Sequence, residues 1–143
     1  SKFRANGTFR VAVVDARSDV GIRLVNLQDG QSKGRTLTWT TFCDSTRLDW
    51  PGRFSRDGTK VTFTSDRTGT AQIYVANRDG SHLRTVTTFE GNSVGLPSWW
   101  PDGRFLVFDA VDGQSLNDLY VVGSDGGPLR RLTRSVSRLL GLN

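Results

Sequence analysis

The chain contains FSRDGTKVTFTSD at residues 54–66, a tight turn followed by an alternating strand. It contains WWPDGRFLVFDAV at residues 99–111, which repeats the same order of features 45 positions later. Asp-Gly lies at the turn in both copies, and glycine readily takes the positive φ that such turns demand. Phe63 and Phe108 occupy matching places in the strands that follow. The two stretches therefore predict a chain built from repeated units.

Each of these stretches opens a longer unit in which four strands are joined by hairpin turns. A second Asp-Gly turn follows in each unit, at Asp79-Gly80 and Asp125-Gly126, and a weaker first copy of the unit has Asp29-Gly30. Within the units, strands are predicted at residues 10–15, 22–27 and 35–39, then 60–65, 72–77 and 83–87, then 104–110, 118–122 and 129–133. The predicted blade units are residues 1–40, 50–88 and 96–134, with a tail at 135–143, in a single domain of residues 1–143.

Composition indicates an all-β fold with many tight turns. Glycine is abundant at 16 residues and methionine is absent, whereas valine, threonine and aromatic residues fill the predicted strands. The net charge of +5 comes mainly from arginines spread along the chain, so nucleic acid is an unlikely partner. No apolar run approaches the roughly 20 residues of a membrane helix, and no membrane insertion is expected.

The repeat has a recognisable sequence pattern. It reads Pro97-Ser98-Trp99-Trp100-Pro101-Asp102-Gly103 at the start of the third unit and Leu129-Arg130-Arg131-Leu132-Thr133 at its end. The second unit contributes Ser65-Asp66-Arg67-Thr68-Gly69 and Ile73-Tyr74-Val75. This pattern resembles the TolB-like (WD-like) β-propeller repeat over nearly the whole chain, most strongly over residues 51–133. It departs where Gly52-Arg53 adds a residue, where Ser115 replaces a loop glycine, and in the first unit, which lacks the S-D-R-x-G loop.

The resemblance implies an all-β fold, a partial β-propeller of about three four-stranded antiparallel blades. Propellers usually close with about 4–8 blades, and TolB-like propellers look six-bladed, so three blades would leave apolar faces and strand edges open. Two explanations remain: the chain is part of a longer propeller, or it forms a homodimer that completes six blades. In a variant, residues 136–142 pair beside the first blade. Leu106 suggests that its strand is covered on both faces.

The sequence predicts no catalytic residue, no metal site and no cofactor. His82 is the only histidine and follows a turn, and no G-x-S-x-G motif is present, so we expect an exposed turn residue. Cys43 has no second histidine to activate it and is expected to be an inert thiol. Asp66, Asp112 and Asp118 are oxygen donors near loops, but they lack the spacing of a calcium loop.

The candidate binding residues lie on the loops between second and third strands, which gather on one face of a propeller together with the blade connections at residues 40–49 and 89–95. Binding residues concentrate on loops held by a rigid scaffold. Arg17 and Arg67 match in position and would aim two guanidinium groups at one region. Alternatively, Asp66 and Arg67 brace their own loop. The full predicted set is Arg17, Asp19, Asp66, Arg67, Asp112 and Gln114, with Trp50 and Trp100 as rim contacts. Trp99 matches Phe54 in the repeat and is expected in the core.

These features predict a non-enzymatic propeller scaffold that binds a protein or peptide through its loop face, in a bacterial periplasm or cell envelope. One alternative implied by the resemblance is the substrate-gating propeller of a serine peptidase of the dipeptidyl-peptidase or tricorn type, with its catalytic domain elsewhere. Another is the sensor propeller of a bacterial transcriptional regulator, which would be cytoplasmic.

Overall fold

The protein folds into three antiparallel sheets, which we call blades 1 to 3. The structure is a computed structural model that describes residues 3–5, 8–15, 21–28, 39–43, 49–90, 93–111 and 117–134. Blade 1 contains β1 (Phe3–Ala5), β2 (Thr8–Asp15), β3 (Gly21–Gln28) and β4 (Trp39–Cys43), and blade 2 contains β5 (Asp49–Phe54), β6 (Lys60–Ser65), β7 (Gln72–Asn77) and β8 (Arg84–Thr85). Blade 3 contains β9 (Ser93–Val94), β10 (Ser98–Trp99), β11 (Phe105–Val111), β12 (Asn117–Gly123) and β13 (Arg130–Arg131).

Strands within each blade pair in chain order, except that β9 joins the end of β11 beside β10. The prediction of an all-β fold of about three four-stranded antiparallel blades is confirmed. The predicted strands 60–65 and 72–77 coincide with β6 and β7. The single-domain assignment and the unit boundaries stay predictions.

The Asp-Gly turns have the geometry that their sequence predicts. The amide of Gly58 donates to the carbonyl of Ser55 at 2.9 Å, and that of Gly103 donates to the carbonyl of Trp100 at 2.8 Å. Both glycines have positive φ, 69° at Gly58 and 74° at Gly103. Asp57 accepts hydrogen bonds from the Thr59 amide and from the Ser55 hydroxyl. The turn is therefore held by its backbone and by its own aspartate.

The residue that Gly52-Arg53 adds to the repeat is a β-bulge. Trp50 is paired with Thr64 and Arg53 with Thr62, so Pro51 and Gly52 together oppose one residue of β6. Gly52 passes close to that strand, because a Cβ at this position would lie 2.1 Å from the Thr62 carbonyl oxygen. Blade 3 contains the same one-residue shift between its pairs Val94–Ala110 and Ser98–Val107. Blades 2 and 3 therefore share this extra residue in their first, inner strands, which are β5 in blade 2 and β9 with β10 in blade 3.

The outermost strands of blades 2 and 3 are shorter than predicted, and a threonine side chain explains why. The Ile73 amide donates to the Thr87 hydroxyl at 3.0 Å, and the Leu119 amide donates to the Thr133 hydroxyl at 2.9 Å. A hydroxyl thus replaces the backbone carbonyl that would continue the ladder. The prediction of strands over 83–87 and 129–133 was wrong in length, since the strands are Arg84–Thr85 and Arg130–Arg131. Beyond them the Val86 and Leu132 amides still donate to the carbonyls of Ile73 and Leu119.

The outer strand of blade 1 also differs from its prediction. A strand was expected at residues 35–39, and residues 40–49 were expected to connect blades. Residues 31–38 lie outside the described part of the chain, and β4 begins at Trp39 and pairs with β3 as far as Cys43. The first part of the predicted connection is therefore strand, because the edge of β3 offers it ladder partners.

Blade 2 lies between blades 1 and 3. Its inner strand β5 contacts β2 and β3 on one side and β10 on the other. Ile73, Val75 and Val86 pack with residues of blade 3 in one apolar cluster. Phe63, Tyr74 and three neighbours form a second cluster on the opposite side of the sheet. β7 is consequently buried over its first five residues, as expected for a strand with both faces covered.

Blade 3 buries one face only among the described residues. Leu106 and Phe108 are buried against blade 2, whereas Phe105 and Leu119 remain 42% and 43% exposed. Burial alternates along β11 and β12 with the two-residue period of a strand. The expectation that Leu106 marks a strand covered on both faces was wrong for the described residues, since Leu106 points to the interface with blade 2.

Candidate functional site

Each blade has two ends with different chemistry. The loop between second and third strands defines the loop end, which in blade 2 comprises residues 66–71. The Asp-Gly turns define the opposite, turn end. Trp50 pairs with Thr64 and so lies toward the loop end, whereas Trp100 begins the turn between β10 and β11. The two exposed tryptophans therefore lie toward opposite ends of their blades, and Trp100 does not share an end with Asp66 and Arg67.

Arg67 is held against its own blade. Its guanidinium carbon lies 4.9 Å from the ring centre of Tyr74 and 5.2 Å from that of Phe63. Its Nε donates to the Ser65 hydroxyl at 3.0 Å. The two rings stack with centroids 5.7 Å apart, and cation–π contacts of this kind orient a guanidinium. This geometry matches the alternative in which Arg67 braces its own loop.

Asp66 and Thr68 complete the loop around Arg67. The Asp66 carbonyl accepts the Gly69 amide at 2.8 Å, which closes a turn. The Thr68 hydroxyl lies 3.2 Å from the Tyr74 hydroxyl, so the same ring holds both sides of the loop. The Asp66 Oδ1 atom is buried and has no hydrogen-bond partner among the residues that the structure describes. The loop at the loop end of blade 2 is therefore tied to the sheet through Tyr74, and Thr68 is exposed there.

A groove of about 450 Å³ runs beside this loop along the outer edge of blade 2. Its walls carry exposed hydroxyl groups, and Gln72 forms part of its lining. Gln72 is buried and donates through Nε2 to the Phe89 carbonyl at 2.8 Å, while its Oε1 accepts the Phe89 amide at 2.9 Å. These bonds fix the chain that leaves the blade and forms one wall. The exposed lining residues are Thr68, Thr70, Thr85, Thr88 and Glu90.

Of this groove, only the loop at residues 66–70 and the blade connection at residues 89–95 were predicted from the sequence. The segment Thr85-Val86-Thr87-Thr88 was available as a signal, because three threonines in four residues is an unusual density of hydroxyl groups. The sequence does not show that Thr68 and Thr85 line the same groove, because they are brought together only when the blade folds.

Several predicted site residues lie outside the described part of the chain, so the structure does not place them. They are Arg17, Asp19, Asp112 and Gln114. The matched pair of Arg17 and Arg67 is therefore described on one side only. Trp99, expected in the core, packs partly buried against the cluster between blades 2 and 3 and donates its indole N–H to the Arg53 carbonyl at 2.8 Å.

The single histidine lies at the turn end, away from the groove. His82 is exposed with a positive φ of 54°, and its Nδ1 lies 2.9 Å from the Asn77 side-chain nitrogen. Ser81 is the second neighbour of this ring nitrogen, at 3.2 Å. These contacts are those of a turn residue. Among the described residues no three metal-ligating side chains form a group. The same residues contain no helix of the length and apolarity that a membrane-spanning helix needs.

Three aspartates at the turn end, Asp57, Asp79 and Asp102, are stabilised in their ionised form. Hydrogen bonds from the Ser55 hydroxyl and from the Thr59 amide and hydroxyl hold the pKa of Asp57 below its ordinary value of 3.8. The amide and side chain of Arg104 likewise lower the pKa of Asp102. Ser81 lowers the pKa of Asp79 in the same manner. The hydrogen bonds that lower these three pKa values all come from residues of the same turn, so each carboxylate stabilises its own turn.

Comparisons with known proteins agree with this architecture. The chain is 31% identical over 96 residues to tricorn protease homolog 1 of Streptomyces coelicolor, a match that covers 66% of this chain and 9% of that protein. It is 31% identical over 88 residues to the uncharacterised peptidase YuxL of Bacillus subtilis, covering 59% of this chain and 13% of the relative. The match therefore spans only about a tenth of either relative.

Among solved structures, TolB from Acinetobacter baumannii superimposes with a TM-score of 0.65 at 17% identity, over 88% of this chain and 30% of that protein. At this level of identity the likeness concerns the fold. The family model described as the TolB beta propeller domain matches residues 2–138. The chain therefore belongs to the TolB β-propeller domain family.

Proposed function

We propose that this propeller domain is a non-enzymatic module that binds an extended segment of a protein or peptide at the loop end of its blades. The observation that carries the proposal is the groove along the outer edge of blade 2, here called the threonine groove. Its exposed lining includes Thr68, Thr70, Thr85 and Thr88. Hydroxyl groups both donate and accept, so they suit the alternating N–H and C=O groups of an extended peptide. Glu90 adds one negative charge, which favours a basic peptide. The bacterial cell envelope, which the resemblance of the repeat implies, is the location that we propose for this module.

The test is selection from a library of random ten-residue peptides displayed on phage, followed by fluorescence polarisation of labelled winners. We expect enriched peptides to be basic and extended, and the double substitution Thr68→Val with Thr88→Val to weaken their binding at least tenfold. Valine keeps the shape of threonine. Because Thr68→Val also removes the contact between its hydroxyl and that of Tyr74, Thr88→Val alone is measured beside the double variant, and circular dichroism checks that both retain their sheets. Arg78→Ala, an exposed change at the turn end, serves as the control.

Two results would reject the proposal. One is a selection that enriches no peptide above background. The other is a set of enriched peptides that bind the double valine variant as tightly as the parent chain. Arg67→Ala is unsuitable for this purpose, because loss of its contacts with Phe63 and Tyr74 would also weaken the fold.

A second candidate is the substrate-gating propeller of a larger peptidase. The observation in its favour is that the two curated relatives described above are named as a protease homolog and a peptidase. Each is more than seven times longer than the matched segment. The discriminating measurement is the sequence of the complete gene. An adjoining α/β-hydrolase domain with a G-x-S-x-G motif supports the peptidase proposal, whereas a secretion leader without such a domain supports the binding module.

A further inference from the structure

The outer edge of blade 2 is formed by β8, the last strand of its sheet. Thr85 of β8 is paired with Tyr74 of β7, and the next amide, that of Val86, donates to the Ile73 carbonyl at 2.9 Å. In an antiparallel ladder, hydrogen-bonded pairs alternate with pairs that exchange no hydrogen bonds. Because Val86 is bonded to β7, Thr85 belongs to a pair of the second kind. Its own N–H and C=O therefore point away from β7, outward from the edge.

Thr85 is exposed, and its side chain is already engaged by the protein. Its hydroxyl donates to the Thr87 carbonyl at 3.0 Å, and the Thr87 hydroxyl donates to Gln72 Oε1 at 2.7 Å. The backbone N–H and C=O of Thr85, by contrast, have no hydrogen-bond partner among the residues that the structure describes. Thr85 thus offers a ligand one backbone donor and one backbone acceptor. An extended peptide backbone complements both of them at once.

This edge is exposed although blade 2 has a neighbour on each side. Its inner strand β5 contacts β2 and β3 of blade 1 and β10 of blade 3. The first five residues of β7 are buried, so both faces of the sheet are covered. Blades pack face to face, and a further blade would cover a face rather than this edge. The exposure of Thr85 therefore does not depend on how many blades the propeller contains.

The outer edge of blade 3 has different chemistry. β13 has Arg131 where β8 has Thr85, since each pairs with the tyrosine of the neighbouring strand. Three residues later blade 3 has Arg134 and blade 2 has Thr88, both exposed. Charged side chains on an edge strand oppose pairing with another chain, whereas threonine favours strand formation. Blade 2 is therefore better suited than blade 3 to receive an added strand.

We propose that the extended segment bound at the threonine groove adds to blade 2 as a further strand, antiparallel to β8, and that one of its residues exchanges both backbone hydrogen bonds with Thr85. This proposal rests on the proposed function and specifies how its ligand is recognised. Antiparallel pairing is the more stable kind and continues the arrangement of the sheet.

The direction of the added strand predicts where its charges lie. β8 runs from the turn end to the loop end, so the N-terminal part of an antiparallel segment lies toward Glu90. Glu90 is exposed, and it is the one charged residue of the groove lining within the described part of the chain. We therefore expect the segment to have Lys or Arg on the N-terminal side of the residue that pairs with Thr85.

The test scans the ten-residue peptides enriched by the phage selection, with each backbone N–H methylated in turn. We expect methylation of the residue paired with Thr85 to raise the Kd about tenfold or more in fluorescence polarisation. Methylation of the residues immediately before and after it should change the Kd less than about threefold, because their N–H groups point away from β8. A scan without a sensitive position, or with adjacent positions equally sensitive, would overturn the proposal. Lys and Arg located C-terminal to the sensitive position would also overturn it.

Two substitutions test the same pairing from the side of the protein. Thr85→Pro removes the N–H at a place where an edge strand tolerates proline, and it should raise the Kd about tenfold or more. Thr85→Val loses the same hydroxyl but keeps the N–H, and it should change the Kd less than about threefold. Equal Kd values for the two variants would contradict the pairing.

Circular dichroism checks that both variants retain their sheets, and the peptide scan remains decisive if Thr85→Pro misfolds. Peptides that bind the parent chain but show neither pattern would overturn strand addition and leave the proposed function standing. A selection that enriches no peptide would reject both.

Discussion

Gly103 shows how much one residue contributes to the repeat. Its φ is 74°, and a Cβ added there would meet nothing within 4 Å, so only backbone strain opposes a side chain. Gly103→Val should lower the free energy of unfolding by about 1–3 kcal/mol, because a β-branched residue is forced to positive φ. Gly103→Asn should cost less, since asparagine tolerates this region. Urea titration of both variants measures the difference, and an unchanged midpoint for valine would contradict the turn geometry.

The turn aspartates predict how stability depends on pH. Their folded pKa values lie below the ordinary 3.8, so their contribution is complete above that value and is lost as pH falls through the lower folded value. We therefore expect the free energy of unfolding to decline as pH is lowered from about 5 toward 2. Asp57→Asn should flatten this decline, because its amide does not titrate. Chemical denaturation at a series of pH values tests this, and equal slopes for both chains would exclude Asp57 as a contributor.

At the scale of the element, blades 2 and 3 use different side chains at the start of β7 and β12, where each strand is bonded to the threonine that follows the outermost strand. In blade 2 the neutral Gln72 accepts the Thr87 hydroxyl at 2.7 Å. In blade 3 the buried Asp118 stands at this position, accepts the Thr133 hydroxyl at 2.8 Å and forms an ion pair with Arg131. Thr85 occupies the repeat position of Arg131 and carries no charge. The acid and the base thus appear together in one blade and are both absent from the other.

This pairing predicts a non-additive pair of substitutions. Arg131→Thr alone should destabilise the protein by about 2 kcal/mol, less than the 3–5 typical of fully buried pairs because Arg131 is partly exposed. Asp118→Gln combined with Arg131→Thr copies the arrangement of blade 2 and should recover most of that loss. Thermal unfolding of the single and double variants forms the cycle. Additive losses would show that the two residues act independently.

Strands were predicted correctly where residues close in sequence determine their bounds. The Asp-Gly turns determine where the hairpins begin, and this placed β6 and β7 correctly. The outer strands were predicted too long, because no sequence rule shows that the hydroxyls of Thr87 and Thr133 take the place of ladder carbonyls. The groove was missed for a related reason. Its walls come from the loop at Thr68 and from the chain after β8, which meet only when the blade forms.

At the scale of the whole molecule, stability depends on how blades pack face to face. Repeat proteins combine the stability of each unit with that of the interface between neighbours. The interface between blades 2 and 3 joins an apolar cluster with a hydrogen bond from the Thr64 hydroxyl to the Gly95 carbonyl at 2.8 Å. The ion pair of Asp125 with Arg84 adds little, because Asp125 is 81% exposed and surface pairs contribute about 0–1 kcal/mol. Apolar burial therefore dominates the contact between these blades.

Ile73 and Leu119 provide a matched test of this conclusion, since they share a repeat position and differ in whether a blade covers them. Ile73 is fully buried, so Ile73→Ala should cost about 2–5 kcal/mol through lost contacts and a cavity. Leu119→Ala should cost under about 1 kcal/mol in the single chain, where the side chain is 43% exposed. Urea unfolding of each variant gives both values. Similar losses at the two positions would mean that blade packing is not what stabilises this chain.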